Sequence, residues 1–147
     1  MIYLDTSALL PYYRAEALSE VIQDLLMAAE EQVLITDLTK VEFASALARW
    51  VKMKELSEAD ALGVEAAFFE DIDAGCYSVR AIESRHYEKA MDWLLSRKAP
   101  LRTLDALHLA VAALRRADLV TADTQLAQAA QIFGVRYQLL VPRDQKD

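Results

Sequence analysis

The chain is 147 residues long and carries 16 Lys+Arg against 23 Asp+Glu, a formal net charge of −7. Three Gly and three Pro, about 4% of the chain where roughly 12% is usual, exclude linkers, low-complexity tracts and a turn-dense β-sandwich. With 54% hydrophobic residues and one cysteine, Cys76, the composition fits a single helix-rich domain over residues 1–147, free of a disulfide framework.

The elements alternate from the start. Met1–Leu4 reads as a short strand, and Asp5-Thr6-Ser7-Ala8-Leu9-Leu10 offers a carboxylate cap to a short helix. MIYLDTSALL has no charged segment ahead of a long apolar one, so no secretory leader is expected. No apolar run approaches the ~18 residues of a membrane span, and the expected location is cytoplasmic. Ala15–Glu31 then repeats Leu18, Val21/Ile22, Leu25/Leu26 and Ala29 at helical spacing, and Val33–Thr36 reads as a strand. Leu38–Lys54 keeps Val41, Ala44, Leu47/Ala48 and Val51 on one stripe. Ser57–Asp73 is a helix with Ser57 as its cap, inside an acidic stretch, Glu55–Gly75, that reads as a solvated face. Tyr77–Ile82 is a third strand, and Glu83–Arg97 a helix with Ser84 as candidate cap. Leu104–Arg116 aligns Leu104, Leu107, Val111 and Leu114, and Leu119–Thr121 is a fourth strand. Thr124–Phe133 ends at Gly134, and Tyr137–Val141 closes the series. The fold class is therefore α/β, a short, mostly parallel sheet of about five strands flanked by helices, with ligands expected beyond the carboxyl ends of the strands.

Four carboxylates fall at or just past those ends: Asp5, Glu42, Asp105 and Asp123. Each has a local explanation. Asp5 and Asp123 suit helix N-caps, Glu42 completes a capping box with Thr39, and Asp105 in a first turn complements a helix dipole. Capping does not need four carboxylates on one edge, because Ser, Thr or Asn cap as well. Two such charges ~5 Å apart at an effective dielectric near 20 repel by roughly 3 kcal/mol. A hard divalent cation with oxygen ligands removes that penalty, Mg2+ by preference and Mn2+ as a substitute. The lack of a Cys/His cluster argues against structural zinc.

Four strings carry a resemblance. Tyr3-Leu4-Asp5-Thr6-Ser7-Ala8-Leu9-Leu10, the run from Val41 to Arg49 around Glu42, the run from Arg102 to Ala110 around Asp105 and the run from Leu119 to Ala127 around Asp123 resemble, in order, the four motifs of PIN domains. Together they are similar to VapC-type toxins, the ribonuclease halves of toxin–antitoxin pairs, over nearly the whole chain. The resemblance implies a three-layer PIN-like fold and an acidic quartet of Asp5, Glu42, Asp105 and Asp123 holding Mg2+, with Asp5 and Asp105 as direct ligands. It implies that Thr6, Ser7 and Thr121 orient carboxylates or water, and that RNA is hydrolysed to a 5′-phosphate and a 3′-hydroxyl. It also implies a small VapB-like antitoxin as partner, and a homodimer.

Around the quartet, His108 reads as a packing or supporting residue, while Arg102 either bridges to a substrate phosphate or pairs with a site carboxylate. Arg14, Arg49, Arg97, Lys98, Arg115 and Arg116 are candidates for an RNA-contacting rim, and Trp50 and Trp93 are expected to be buried. Charge is uneven, with 5 basic and 15 acidic residues in 1–75 against 11 and 8 in 76–147, so the net −7 does not exclude RNA. The alternative is a catalytically silent PIN-like RNA- or protein-binding module. An aspartyl phosphotransferase of the haloacid dehalogenase type is disfavoured, because Ser7 stands where its second Asp is wanted.

Overall fold

A computed structural model describes residues 1–143. Its five strands are β1 (Ile2–Leu4), β2 (Val33–Thr36), β3 (Ser78–Arg80), β4 (Asp118–Thr121) and β5 (Tyr137–Leu139), in the order β3-β2-β1-β4-β5. All four pairings are parallel. The sheet is thus fully rather than mostly parallel. A chain with three glycines has little to build hairpin turns from, and each connection here is a helical crossover.

Alternation along the central strands sorts the core into two layers. Leu4, Ile35 and Val120 face α1 (Thr6–Tyr13), α2 (Ser19–Ala28), α3 (Asp37–Lys52) and α4 (Glu58–Asp73). Tyr3, Leu34 and Leu119 face α5 (Ser84–Ser96), α6 (Thr103–Leu114) and α7 (Thr124–Ile132). Both faces of β1 and β4 are covered, which accounts for the adjacent apolar residues Ile2-Tyr3-Leu4 and Leu119-Val120. The chain winds outward from β1 through β2 to β3, then returns to lay β4 against the other side of β1. The crevice at the carboxyl ends of β1 and β4 is the topological switch point of the sheet.

Several local expectations change. The first helix covers Thr6–Tyr13, longer than the sequence suggests, with the Asp5 side chain accepting from the Ala8 amide. The second starts at Ser19 rather than Ala15, because the Ser19 hydroxyl closes a turn onto Glu16 N and Arg14 O. In α3 the capping box belongs to Thr36 and Thr39, not to Thr39 and Glu42: the helix begins directly where β2 ends, leaving Glu42 beyond capping reach. Glu83, not Ser84, caps α5, and His86 Nδ1 accepts from the Glu83 amide. Ser57 and Asp123 cap α4 and α7 as expected, and Gly134 follows α7 with φ +71°. Trp93 is buried and stacks on Phe133, whereas Trp50 is only half-buried, beneath the Arg14 guanidinium.

The acidic helix α4 is not a purely solvated face. Phe68 is fully buried against Phe43 and Tyr13, and Asp71 accepts a 2.6 Å hydrogen bond from the Tyr13 hydroxyl. Tyr13 and Tyr77 hydroxyls lie 2.7 Å apart, and burial raises both phenols above their ordinary pKa, so both remain donors. Tyr13→Phe is expected to lower unfolding free energy by about 1–2 kcal/mol in urea titrations, with the cleft described next unaltered.

Candidate active site

Asp5 leaves β1 at the switch point and is 3% exposed. Its Oδ1 accepts from Ser7 Oγ at 2.8 Å and Ala8 N at 3.0 Å, and its Oδ2 from Thr121 Oγ1 at 2.8 Å. Every one of these donors is neutral. Burial therefore pushes the carboxyl pKa up, with the His108 imidazole and the hydroxyl bonds only partly offsetting it. Ser7 Oγ also accepts from Ala122 N, and Thr121 Oγ1 from Asp123 N, so both hydroxyls tie the end of β4 to the end of β1.

Glu42, in the second turn of α3, is held from two sides. Thr6 Oγ1 donates to its Oε1 at 2.8 Å, and His108 Nε2 contacts the same oxygen. Behind His108 stands Tyr3, whose hydroxyl reaches His108 Nδ1 and lies 3.2 Å from Thr36 Oγ1. Burial raises the Tyr3 phenol, keeping it protonated. The donor order is then Tyr3 O–H to Nδ1 and Nε2–H to Glu42. Burial alone would raise the Glu42 pKa, but the hydrogen bond from His108, with that from Thr6, holds it below the usual value. Glu42 is thereby fixed as an ionised carboxylate, with Oε2 left free of protein partners among the described residues.

Asp105 in the first turn of α6 and Asp123 at the cap of α7 share one cation. Arg102 donates from Nε to Asp105 Oδ2 at 3.1 Å and from Nη2 to Asp123 Oδ2 at 3.3 Å. Asp123 uses its other oxygen to cap the Gln125 and Leu126 amides. Burial raises the Asp105 pKa, and Arg102 pulls it partly back.

All four carboxylates, with Thr6, Ser7, Arg49, Arg102 and His108, line one cleft of about 410 Å3. Of the six rim cations read from the sequence, Arg49 alone lines it; Arg14 pairs with Glu55, Arg115 with Glu83, and Arg116 lines a separate depression. With the side chains as they stand, no three His, Cys, Asp or Glu among the described residues form a group able to hold a metal ion. Glu42 is turned to His108, and Asp105 and Asp123 to Arg102. The donor set nevertheless fits a hard cation: it is all oxygen, and Asp5 is a buried carboxylate given only neutral hydrogen-bond donors. Of the residues behind His108, Tyr3 and Thr36 carry no assigned role in the sequence reading, and Thr39 enters it only as a capping residue. The one signal for Tyr3 is the alternation that turns it toward α6 and so toward His108.

A family model described as PIN domain matches residues 2–132. No curated protein matches the chain in sequence. Among solved structures, the fold is similar to VapC20 from Mycobacterium tuberculosis, described as a sarcin-ricin loop cleaving toxin, with TM-score 0.67 and 15% identity over 88% of this chain and 95% of that one. It is similar to VapBC2 from Rickettsia felis bound to a promoter DNA fragment, with TM-score 0.69 and 13% identity over 96% and 100%. FitAcB from Neisseria gonorrhoeae gives 0.69 and 18% over 93% and 96%. At these identities the likeness concerns the fold. No helix among the described residues is long and apolar enough to cross a membrane.

Proposed function

The chain belongs to the PIN domain family, and from that premise we propose that it is a metal-dependent endoribonuclease, the toxin of a VapC-type toxin–antitoxin pair. The observation that carries this reading is the convergence of Asp5, Glu42, Asp105 and Asp123 on one cleft at the β1/β4 switch point. Asp5 and Asp105 are the residues that would bind Mg2+ or Mn2+ directly, with Glu42 and Asp123 completing the acidic set. When bound, such an ion supplies Lewis acidity to the scissile phosphate and acidifies a water.

The chain's own residues do the rest. Ser7 and Thr121 fix the plane of the Asp5 carboxylate, and the Tyr3–His108 relay with Thr6 fixes Glu42. Asp123 positions its second oxygen by capping α7 with its first. Arg49 offers an exposed guanidinium at the cleft with no ion pair among the described residues, suited to a flanking phosphate. With so few local cations in a protein of net charge −7, RNA binding is weak and salt-sensitive.

Partners follow from the same reading. The similarity to VapBC2 from Rickettsia felis supports a small VapB-like antitoxin for this chain, and a homodimer is the expected assembly. Helix α4, with Leu62 and Phe69 exposed among acidic side chains, suits a protein partner better than RNA. A silent binding module is the second reading, favoured by the lack of a ready-made ligand cluster among the described residues. One assay separates the two. Labelled total RNA incubated with purified protein should be cut in Mg2+ or Mn2+ and left intact in EDTA, with 5′-phosphate ends on the products. RNA that is bound and never cut, in any metal, would establish the silent module instead.

A further inference from the structure

The Arg102 guanidinium lies over two carboxylates that would otherwise repel each other. The side chains of Asp105 and Asp123 are 17% and 22% exposed, while that of Arg102 is 74% exposed, so the cation sits on the solvent side of both. It takes Oδ2 of each. For Asp123 this is the only oxygen left by the helix cap, and Asp105 has no other hydrogen-bond partner among the described residues. A guanidinium and a divalent ion carry like charge and seek the same carboxylates, so each weakens the other's hold on them.

We infer that Arg102 is a resident counter-cation: it neutralises Asp105 and Asp123 in the metal-free protein and competes with the divalent ion for them. This rests on the proposed metal-dependent reading. The arrangement is economical in energy, because ion pairs with an exposed partner are weak and a divalent ion can displace them. The burial of Asp105 adds a reason for it, since Arg102 offsets the cost of that charge before metal arrives. Arg102 is thus a positioning residue for Asp105 and Asp123, and its side chain can be changed without disturbing the cap of α6, which uses the Arg102 carbonyl.

The test is Mn2+ binding to the full chain by calorimetry, without RNA, in the wild type, Arg102→Gln, Arg102→Lys and Arg49→Gln. Arg49 lines the same cleft without pairing with either carboxylate, so its variant reports the loss of one cleft charge alone. Arg102→Gln should bind Mn2+ about three- to tenfold more tightly than the wild type, and by a clearly larger factor than Arg49→Gln. Arg102→Lys, which keeps the charge but not the two-pronged geometry, should fall between wild type and Arg102→Gln. Equal effects of the Arg102→Gln and Arg49→Gln changes, or unchanged Mn2+ affinity in Arg102→Gln, would overturn the competition while leaving the nuclease reading intact. Failure of every protein, wild type included, to bind Mn2+ would overturn both.

Discussion

Asp5→Asn is expected to lower RNA cleavage by about 10²–10³-fold or more and, in EDTA, to raise the melting temperature. The shape of the site survives the change. An Asn carbonyl can still accept from the Ala8 amide and cap α1, and the Ser7 and Thr121 hydroxyls can turn to meet an NH2 group. What disappears is a buried negative charge with only neutral hydrogen-bond donors. The sign of the stability effect follows from linkage. The folded Asp5 pKa lies above the ordinary carboxyl value, so the native state holds its proton to higher pH than the unfolded chain does. Ionised Asp5 therefore costs stability, and that cost grows as pH rises from the ordinary carboxyl range toward the raised value. The variant's advantage over wild type should accordingly vanish in acid and be largest at neutral pH. Excess Mg2+ should reverse the order, since a metal at ten times its Kd adds about 1.4 kcal/mol, roughly 3–6 °C for a domain of this size, to the wild type only. Thermal melts across pH, with and without metal, check each part.

His108→Ala is expected to cost about 3 kcal/mol of stability together with most of the cleavage activity. The imidazole is 1% exposed and occupies the space between the Tyr3 hydroxyl and Glu42. Truncation leaves a cavity beside α6 and strips Glu42 of the bond that most strongly opposes its burial. Its carboxyl pKa should then rise, and with it the acidic limb of the cleavage pH profile. His108→Gln, which can accept from Tyr3 and donate to Glu42, should recover part of both losses. A purely packing role for His108 predicts instead that the Gln variant regains stability and that the acidic limb stays where it is in both variants. Urea titration alongside pH–rate profiles distinguishes these outcomes.

Strands and motif positions were legible because they are encoded locally. Val33–Thr36 is legible to the residue, and the remaining strands to within a few residues, since most are short runs rich in Val, Ile, Leu or Tyr between helical periodicities. Asp123 as a cap is likewise a local matter, settled by the Asp123 oxygen and the Gln125 and Leu126 amides. Glu42 was less legible. Thr39-x-x-Glu42 has the spacing of a capping box, yet the abrupt passage from β2 into α3 moves the cap to Thr36 and sends Glu42 across to α6. The relay behind it joins Tyr3 to His108 across 105 positions, a pairing that only the placement of β1 against α6 creates. The sequence allows Arg102 a phosphate or a carboxylate partner, and the fold seats it on Asp105 and Asp123. The acidic character of α4 misled at one position, because the inward turn of Asp71 depends on Tyr13 from another helix.

The central claim is that these carboxylates form a cation-dependent cleaving centre. It is tested most directly by one experiment on labelled RNA. Wild type, Asp5→Asn and Asp105→Asn are stripped with EDTA and then returned to excess Mg2+. The account predicts that cleavage by the wild type stops in EDTA and returns with Mg2+, leaving 5′-phosphate ends, while neither variant cuts under either condition. Cleavage that persists in EDTA, or that both variants retain, would contradict it.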